Sequence, residues 1–96
     1  MIPTDPLYDL QRPTLALSGD IEAVWDNYTG TGVTVAVYHD GVDYTHPDLA
    51  ANYDPTRHFS HLGLTYDGIN VGYHDSFGTG VAGVIAAAAN NGIGTT

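Results

Sequence analysis

The 96 residues contain no cysteine and no lysine, and arginine occurs twice. The missing thiols exclude disulfide scaffolds, thiolate zinc sites and cysteine nucleophiles. Eleven aspartate and glutamate residues bring the formal net charge to -9. Such a charge repels nucleic acid and anionic lipid, so we exclude both as partners and expect cations or a basic peptide instead.

Long apolar runs are missing as well. No stretch of about eighteen apolar residues occurs, so the sequence predicts no membrane span. The first residues lack the basic and apolar regions of a secretory leader, so no leader is predicted, and the cellular location stays open. Hydrophobic residues nevertheless make up 43% of the sequence and charged residues only 14%. This balance predicts one small packed domain rather than a disordered chain.

The first half of the sequence predicts an arm, a helix and a strand. Several prolines in residues 1–17 predict an extended arm with turns. A helix capped by Ser18 or Asp20 is predicted next, because apolar residues recur at helical spacing as far as Tyr28. Residues 33–38 form a short apolar run rich in valine, which is typical of a strand buried on both faces.

The second half predicts long loops and one more helix. Residues 43–76 show little periodicity and are predicted as loops, with one or two short strands near residues 58–60. Small and apolar residues without charge predict a buried helix over residues 78–91. The strand over residues 33–38 has no partner of comparable length, so we expect part of an α/β domain whose exposed apolar faces make the isolated chain self-associate.

Three stretches of the sequence carry a resemblance to a known family. They are residues 4–11, residues 33–55 with the motifs at 46–49 and 52–55, and residues 78–94. In order and spacing they resemble the subtilase family of serine endopeptidases, most closely its kexin/furin-like branch. The resemblance implies an α/β fold, an incomplete subtilisin-like three-layer sandwich. Residues 1–96 would then be the N-terminal part of a catalytic domain.

The sequence departs from the family at its catalytic positions. His39 stands where the family has the catalytic aspartate, and Phe77 stands where it has the catalytic histidine. The nucleophilic serine has no counterpart in this chain. Because Phe77 cannot exchange a proton and His39 brings no anion to orient a base, we expect no peptidase activity from the chain alone. A different chemistry that uses His39 is the alternative.

Two further sets of residues match binding positions of the kexin-like branch. Asp40 and Asp43 lie beside the former catalytic position and resemble subsites for basic peptides. Asp5, Asp48 and Asn91 match positions that bind a structural calcium ion, and oxygen ligands suit Ca²⁺. By spacing alone these three residues are better explained as an arm aspartate, a turn cap and a polar helix end.

The resemblance therefore leaves more than one role open for the chain. The first is an inactive subtilase segment, with a complementary C-terminal subtilase segment as its partner. The alternative is a calcium-stabilised binding module or a decoy for basic peptides.

Overall fold

A computed structural model describes residues 1–57 and 77–96. Three α-helices lie in these ranges: α1 (Tyr8–Leu15), α2 (Ile21–Trp25) and α3 (Phe77–Ala86). Three short 3-10 helices cover Ala16–Ser18, Ala50–Asn52 and Pro55–Arg57. No strand is present within the described ranges. The strands predicted near residues 58–60 lie outside the described residues.

Helix α1 occupies the second half of the predicted arm, so the expectation of an extended arm over residues 1–17 is wrong there. Pro13 lies inside α1, although proline costs a helix a backbone hydrogen bond. Tertiary contacts of Tyr8 offset this cost. The Tyr8 ring is 2% exposed and lies 6.3 Å from the ring of Trp25, and its hydroxyl donates to Glu22 Oε1 at 2.6 Å. Long-range packing thus overrides the local preference.

Helix α2 begins where the sequence predicts it. The Asp20 carboxylate accepts a hydrogen bond from the Ala23 amide at 3.1 Å, which confirms the predicted cap. The helix ends at Trp25, however, and Tyr28 lies beyond it with a side chain that is 75% exposed. The predicted apolar face is therefore shorter than the spacing indicates.

The strand predicted over residues 33–38 is not formed within the described part of the chain. A strand needs a neighbouring strand to accept and donate its backbone hydrogen bonds, and no described segment forms such a ladder with these residues. Val33 and Val35 are both exposed rather than buried. The apolar pattern alone was not sufficient to specify the strand without its partners.

Helix α3 is shorter and more exposed than the sequence predicts. It ends at Ala86 rather than at residue 91, and its buried residues are Gly78 and Ala82. Val84 is 72% exposed, so the expectation of a helix buried on all sides is wrong for the described structure. An open groove runs along this apolar face and is lined by Phe77, Gly80, Val81, Val84 and Ile85.

Few side chains are buried in the described structure, and two of them are carboxylates. Its buried apolar side chains are Tyr8, Leu49 and Ala82, whereas the carboxylates of Asp5 and Asp48 are only 4% and 3% exposed. Across residues 1–57 and 77–96, no helix combines the length and the apolar character needed to cross a bilayer. The two buried carboxylates therefore mark the place to look for a functional site.

Candidate functional site

The Asp5 carboxylate organises the loop that follows α3, residues 90–96. Its Oδ1 atom accepts hydrogen bonds from the amides of Asn91 at 3.0 Å and Gly92 at 3.1 Å. Its Oδ2 atom accepts from the Asn90 amide at 2.7 Å and from the Thr96 hydroxyl at 2.8 Å. A carboxylate offers about four lone-pair positions, so these four donors use its full capacity.

The backbone of residues 90–92 is shaped for this anion. Asn90 and Gly92 have φ angles of 60° and 75°, and such a turn directs successive N–H groups toward one acceptor. Burial raises the pKa of the Asp5 carboxyl, but the hydrogen bonds from Asn90, Thr96, Gly92 and Asn91 outweigh burial and hold the pKa below its ordinary value. Asp5 is therefore a buried anion at neutral pH.

Other residues of the arm fasten the same loop. The Gln11 side chain pairs with the Thr96 backbone: Nε2 donates to the carbonyl oxygen at 3.1 Å and Oε1 accepts from the amide at 2.9 Å. The Leu7 amide donates to the Gly94 carbonyl oxygen at 2.9 Å. Residues 4–11 thus bind both ends of loop 90–96. The sequence analysis did not predict this role for Gln11.

Asp48 approaches loop 90–96 from a different part of the chain. Its Oδ1 atom accepts from Asn91 Nδ2 at 2.9 Å, and its Oδ2 atom accepts from the Thr95 amide at 3.0 Å. Its carbonyl oxygen accepts from the Ala88 amide at 2.8 Å. Gly94 lies so close that an added Cβ would overlap Asp48 Oδ2. The structure therefore brings the three predicted metal-site residues into one cluster, with Asn91 bonded to both carboxylates.

Neither buried carboxylate of this cluster is neutralised by an arginine. Arg12 Nε lies 2.9 Å from Glu22 Oε1, and Arg57 Nε lies 3.2 Å from Asp54 Oδ2. These are the two basic residues of the sequence besides histidine. Buried charges are normally paired or bound to metal, so the charge of the cluster favours a cation.

The donor chemistry also decides which residues fit Ca²⁺. Calcium takes carboxylate and carboxamide oxygens. Asp48 supplies a carboxylate, whereas Asn91 Oδ1 accepts from the Ile93 amide at 2.8 Å and would join the ion only after leaving that amide. Asp5 has hydrogen-bond donors at all four lone-pair positions, so it fits better as the residue that shapes the loop. Among the described residues, no group of three histidine, aspartate or glutamate side chains is placed to hold a metal. The fit is therefore an oxygen-donor fit centred on the Asp48 carboxylate.

His39 and Phe77, at which the sequence analysis predicted a departure from the family, lie side by side. The rings of His39 and Phe77 are stacked, with centroids 6.3 Å apart and an interplanar angle of 27°. His39 Nδ1 lies 2.7 Å from Asp40 Oδ1. The Phe77 side chain is exposed. A hydrocarbon ring therefore stands at the start of α3, stacked on His39.

Asp40 holds the start of α3. Its Oδ1 atom accepts a hydrogen bond from the Gly78 amide at 2.7 Å. The carboxylate is thus an anion at the positive end of the helix, where negative charge is stabilising. Burial raises the pKa of Asp40, but the hydrogen bonds from Gly78 and His39 lower it below its ordinary value. Sequence reasoning missed this capping role because the two residues are 38 positions apart.

Asp43 lies at the same end of α3. Its Oδ1 atom accepts from the Thr45 hydroxyl at 2.6 Å and from the Thr45 amide at 3.0 Å. These hydrogen bonds lower the pKa of Asp43 below its usual value despite burial. Its own amide donates to Thr79 Oγ1 at 2.9 Å. Asp40 and Asp43 are thus two ionised carboxylates beside the first turn of the helix.

Comparisons with known proteins agree with the motifs. The Subtilase family matches residues 30–96. Neuroendocrine convertase 2 of Homo sapiens is 39% identical over 84 residues, which cover 83% of the chain and 13% of that protein. Furin of Homo sapiens is 38% identical over an alignment of 104 positions, which covers 95% of the chain and 12% of furin. The chain thus spans only a small part of the relatives it matches. No solved structure matches it.

Proposed function

Because the chain belongs to the subtilase family, and within it to the kexin/furin-like branch, we propose that it is a subtilase-type segment with no serine endopeptidase activity of its own. The stacking of His39 on Phe77 is the observation that carries this proposal. A serine hydroxyl attacks only when a histidine takes its proton and an aspartate fixes that histidine. Phe77 has no atom that accepts a proton.

Asp40 does not replace the missing acid. Its Oδ1 atom is bonded to the Gly78 amide and lies against His39 Nδ1, so this anion serves the helix start. His39 in turn has only a neutral or positive ring, which cannot stabilise a neighbouring imidazolium as a carboxylate does. The region therefore places a turn beside a helix start and lacks the proton-transfer groups that a serine protease needs.

The chain is expected to release no fluorophore from peptides that carry basic residues before the reporter group. Loss of the base alone costs on the order of 10⁶ in turnover, so the signal should equal the buffer blank. Furin at the same molar concentration serves as the positive control. Turnover by the purified chain that a serine-directed inhibitor abolishes would contradict the proposal.

A calcium-stabilised binding module is the second candidate. Two buried carboxylates without an arginine partner support it. Asp48 would hold the ion, joined by Asn91 once its Oδ1 atom leaves the Ile93 amide, and Asp5 would keep loop 90–96 in the shape that presents them. The bound ion would supply positive charge to a cluster that has none from lysine or arginine.

Millimolar Ca²⁺ is expected to raise the unfolding midpoint of the chain, and the Asp48→Asn variant is expected to lose this response. Saturation to 100 times the dissociation constant adds about 2.7 kcal/mol to the free energy of unfolding. The exposed substitution Asp9→Asn makes the same charge change on α1 and should keep the response. Superimposed melting curves of the wild-type chain with Ca²⁺ and with a chelator would mean that the calcium site is absent.

We propose that the apolar groove along α3 binds a polypeptide partner. The exposed groove residues are apolar, and the chain spans 12–13% of the human relatives that it matches. A complementary C-terminal subtilase segment fits both facts.

A basic peptide at Asp40 and Asp43 is the alternative, supported by two ionised carboxylates at the same helix end. Self-association of the isolated chain stays a prediction.

A further inference from the structure

We propose that Asn91 is a deamidation site whose reaction is restrained by the Asp5 carboxylate. Asn91 precedes Gly92, and this is the one asparagine–glycine pair in the sequence. Glycine has no side chain to keep its backbone nitrogen away from the preceding carboxamide. Both residues are exposed to solvent, so the water that completes the reaction has access. The proposal does not rest on the absence of peptidase activity.

The reaction needs only water. The Gly92 backbone nitrogen attacks Asn91 Cγ and forms a new C–N bond, which closes a five-membered succinimide. The bond between Cγ and Nδ2 breaks, and Nδ2 leaves as ammonia with the proton that the Gly92 nitrogen releases. A water molecule then opens the ring at one of its two carbonyl carbons and leaves aspartate or isoaspartate at position 91.

The structure holds both reacting groups in other contacts. The Gly92 N–H donates to Asp5 Oδ1 at 3.1 Å, so the attacking nitrogen is directed at the carboxylate. The leaving group, Asn91 Nδ2, donates to Asp48 Oδ1 at 2.9 Å. Asn91 Oδ1 accepts from the Ile93 amide at 2.8 Å, which fixes the carboxamide plane. Hydrogen bonds to a charged acceptor are stronger than neutral ones, so the reaction has to wait until Asp5 releases the loop.

The product would undo the cluster that restrains it. A carboxylate at position 91 would replace the donor Nδ2 with an anion opposite Asp48 Oδ1. It would also add a third negative charge beside two buried carboxylates that no arginine neutralises. Like charges this close repel. Deamidation would therefore turn a transient opening between the arm and loop 90–96 into a permanent one.

The test measures the rate at which Asn91 is converted to aspartate or isoaspartate, which changes the mass of the peptide that contains it. The chain is incubated in mildly alkaline buffer with a chelator, and its proteolytic peptides are followed by mass spectrometry. We expect the native chain to deamidate at Asn91 at least about tenfold more slowly than the same chain in urea, since a charged-acceptor hydrogen bond must break first. Asp5→Asn should raise the native rate, and the matched control Asp9→Asn should not.

A milder variant covers the case in which Asp5→Asn does not fold. Gln11→Ala removes two hydrogen bonds to Thr96 and leaves Asp5 in place, so its rate should fall between the native and urea-unfolded rates. Equal rates in native buffer and in urea would overturn the proposal. A native rate above the unfolded rate would also overturn it, because Asp5 would then act as a base that promotes the attack. Modification at another asparagine in place of Asn91 would do the same.

Discussion

Asp5→Ala is expected to lower the free energy of unfolding by about 3–5 kcal/mol. The substitution removes the acceptor of four hydrogen bonds and leaves the amides of Asn90, Asn91 and Gly92 without it. A hydrogen bond to a charged group contributes about 1.5–3 kcal/mol, with part of the loss recovered by water. Since small domains have a total stability of about 5–15 kcal/mol, this one carboxylate would decide whether the arm stays on the loop.

Urea denaturation of Asp5→Ala beside Asp9→Ala measures this effect. Asp9 is exposed on α1, so its removal should change the stability by less than about 0.5 kcal/mol. Hydrogen exchange of the Asn90–Gly92 amides should accelerate in the Asp5 variant alone. If the two variants unfold at the same urea concentration, the hydrogen bonds of Asp5 do not hold the structure together.

Gly78→Ala is expected to destabilise the chain, whereas Gly80→Ala on the same helix is expected to stabilise it. A Cβ at Gly78 would overlap the Gly41 carbonyl oxygen and lie 2.8 Å from Asp40 Oδ1. A backbone oxygen cannot move aside, so α3 would have to shift from its cap at a cost of about 1–3 kcal/mol. A Cβ at Gly80 meets nothing within 4 Å, and alanine gains about 1 kcal/mol over glycine within a helix.

The two glycine variants make the same chemical change two positions apart, so thermal unfolding of both isolates the contact with Gly41 and Asp40. The midpoint of Gly78→Ala should fall and that of Gly80→Ala should rise. Two shifts of the same sign would show that α3 does not pack against residues 40 and 41 as the structure describes.

Sequence patterns predicted the parts of the fold that depend on residues close together in the sequence. The Asp20 cap of α2 was predictable because donor and acceptor are three positions apart. Helix α1 was not, because it depends on the contacts of Tyr8 with Glu22 and Trp25, which offset Pro13. The strand over residues 33–38 was predicted from an apolar run, but a strand also needs partners that the pattern does not supply.

The candidate site was predictable only through the family resemblance. Asn91 lies 86 positions from Asp5 and 43 from Asp48, so no local pattern connects the three residues. Their motifs matched a known arrangement, and the structure places them together. The roles of Gln11 and Asp40 were missed because they bind backbone groups, whose positions follow from the fold and not from residue type.

The proposed absence of peptidase activity is tested most directly on the wild-type chain, with the double variant H39D/F77H assayed beside it. By the family resemblance these substitutions would supply the acid and the base, whereas none of the 96 residues matches the nucleophilic serine. We predict no release of fluorophore from basic peptides by either protein. Turnover by the wild-type chain that a serine-directed inhibitor blocks would contradict the proposal, and turnover by the double variant alone would show that a nucleophile is present.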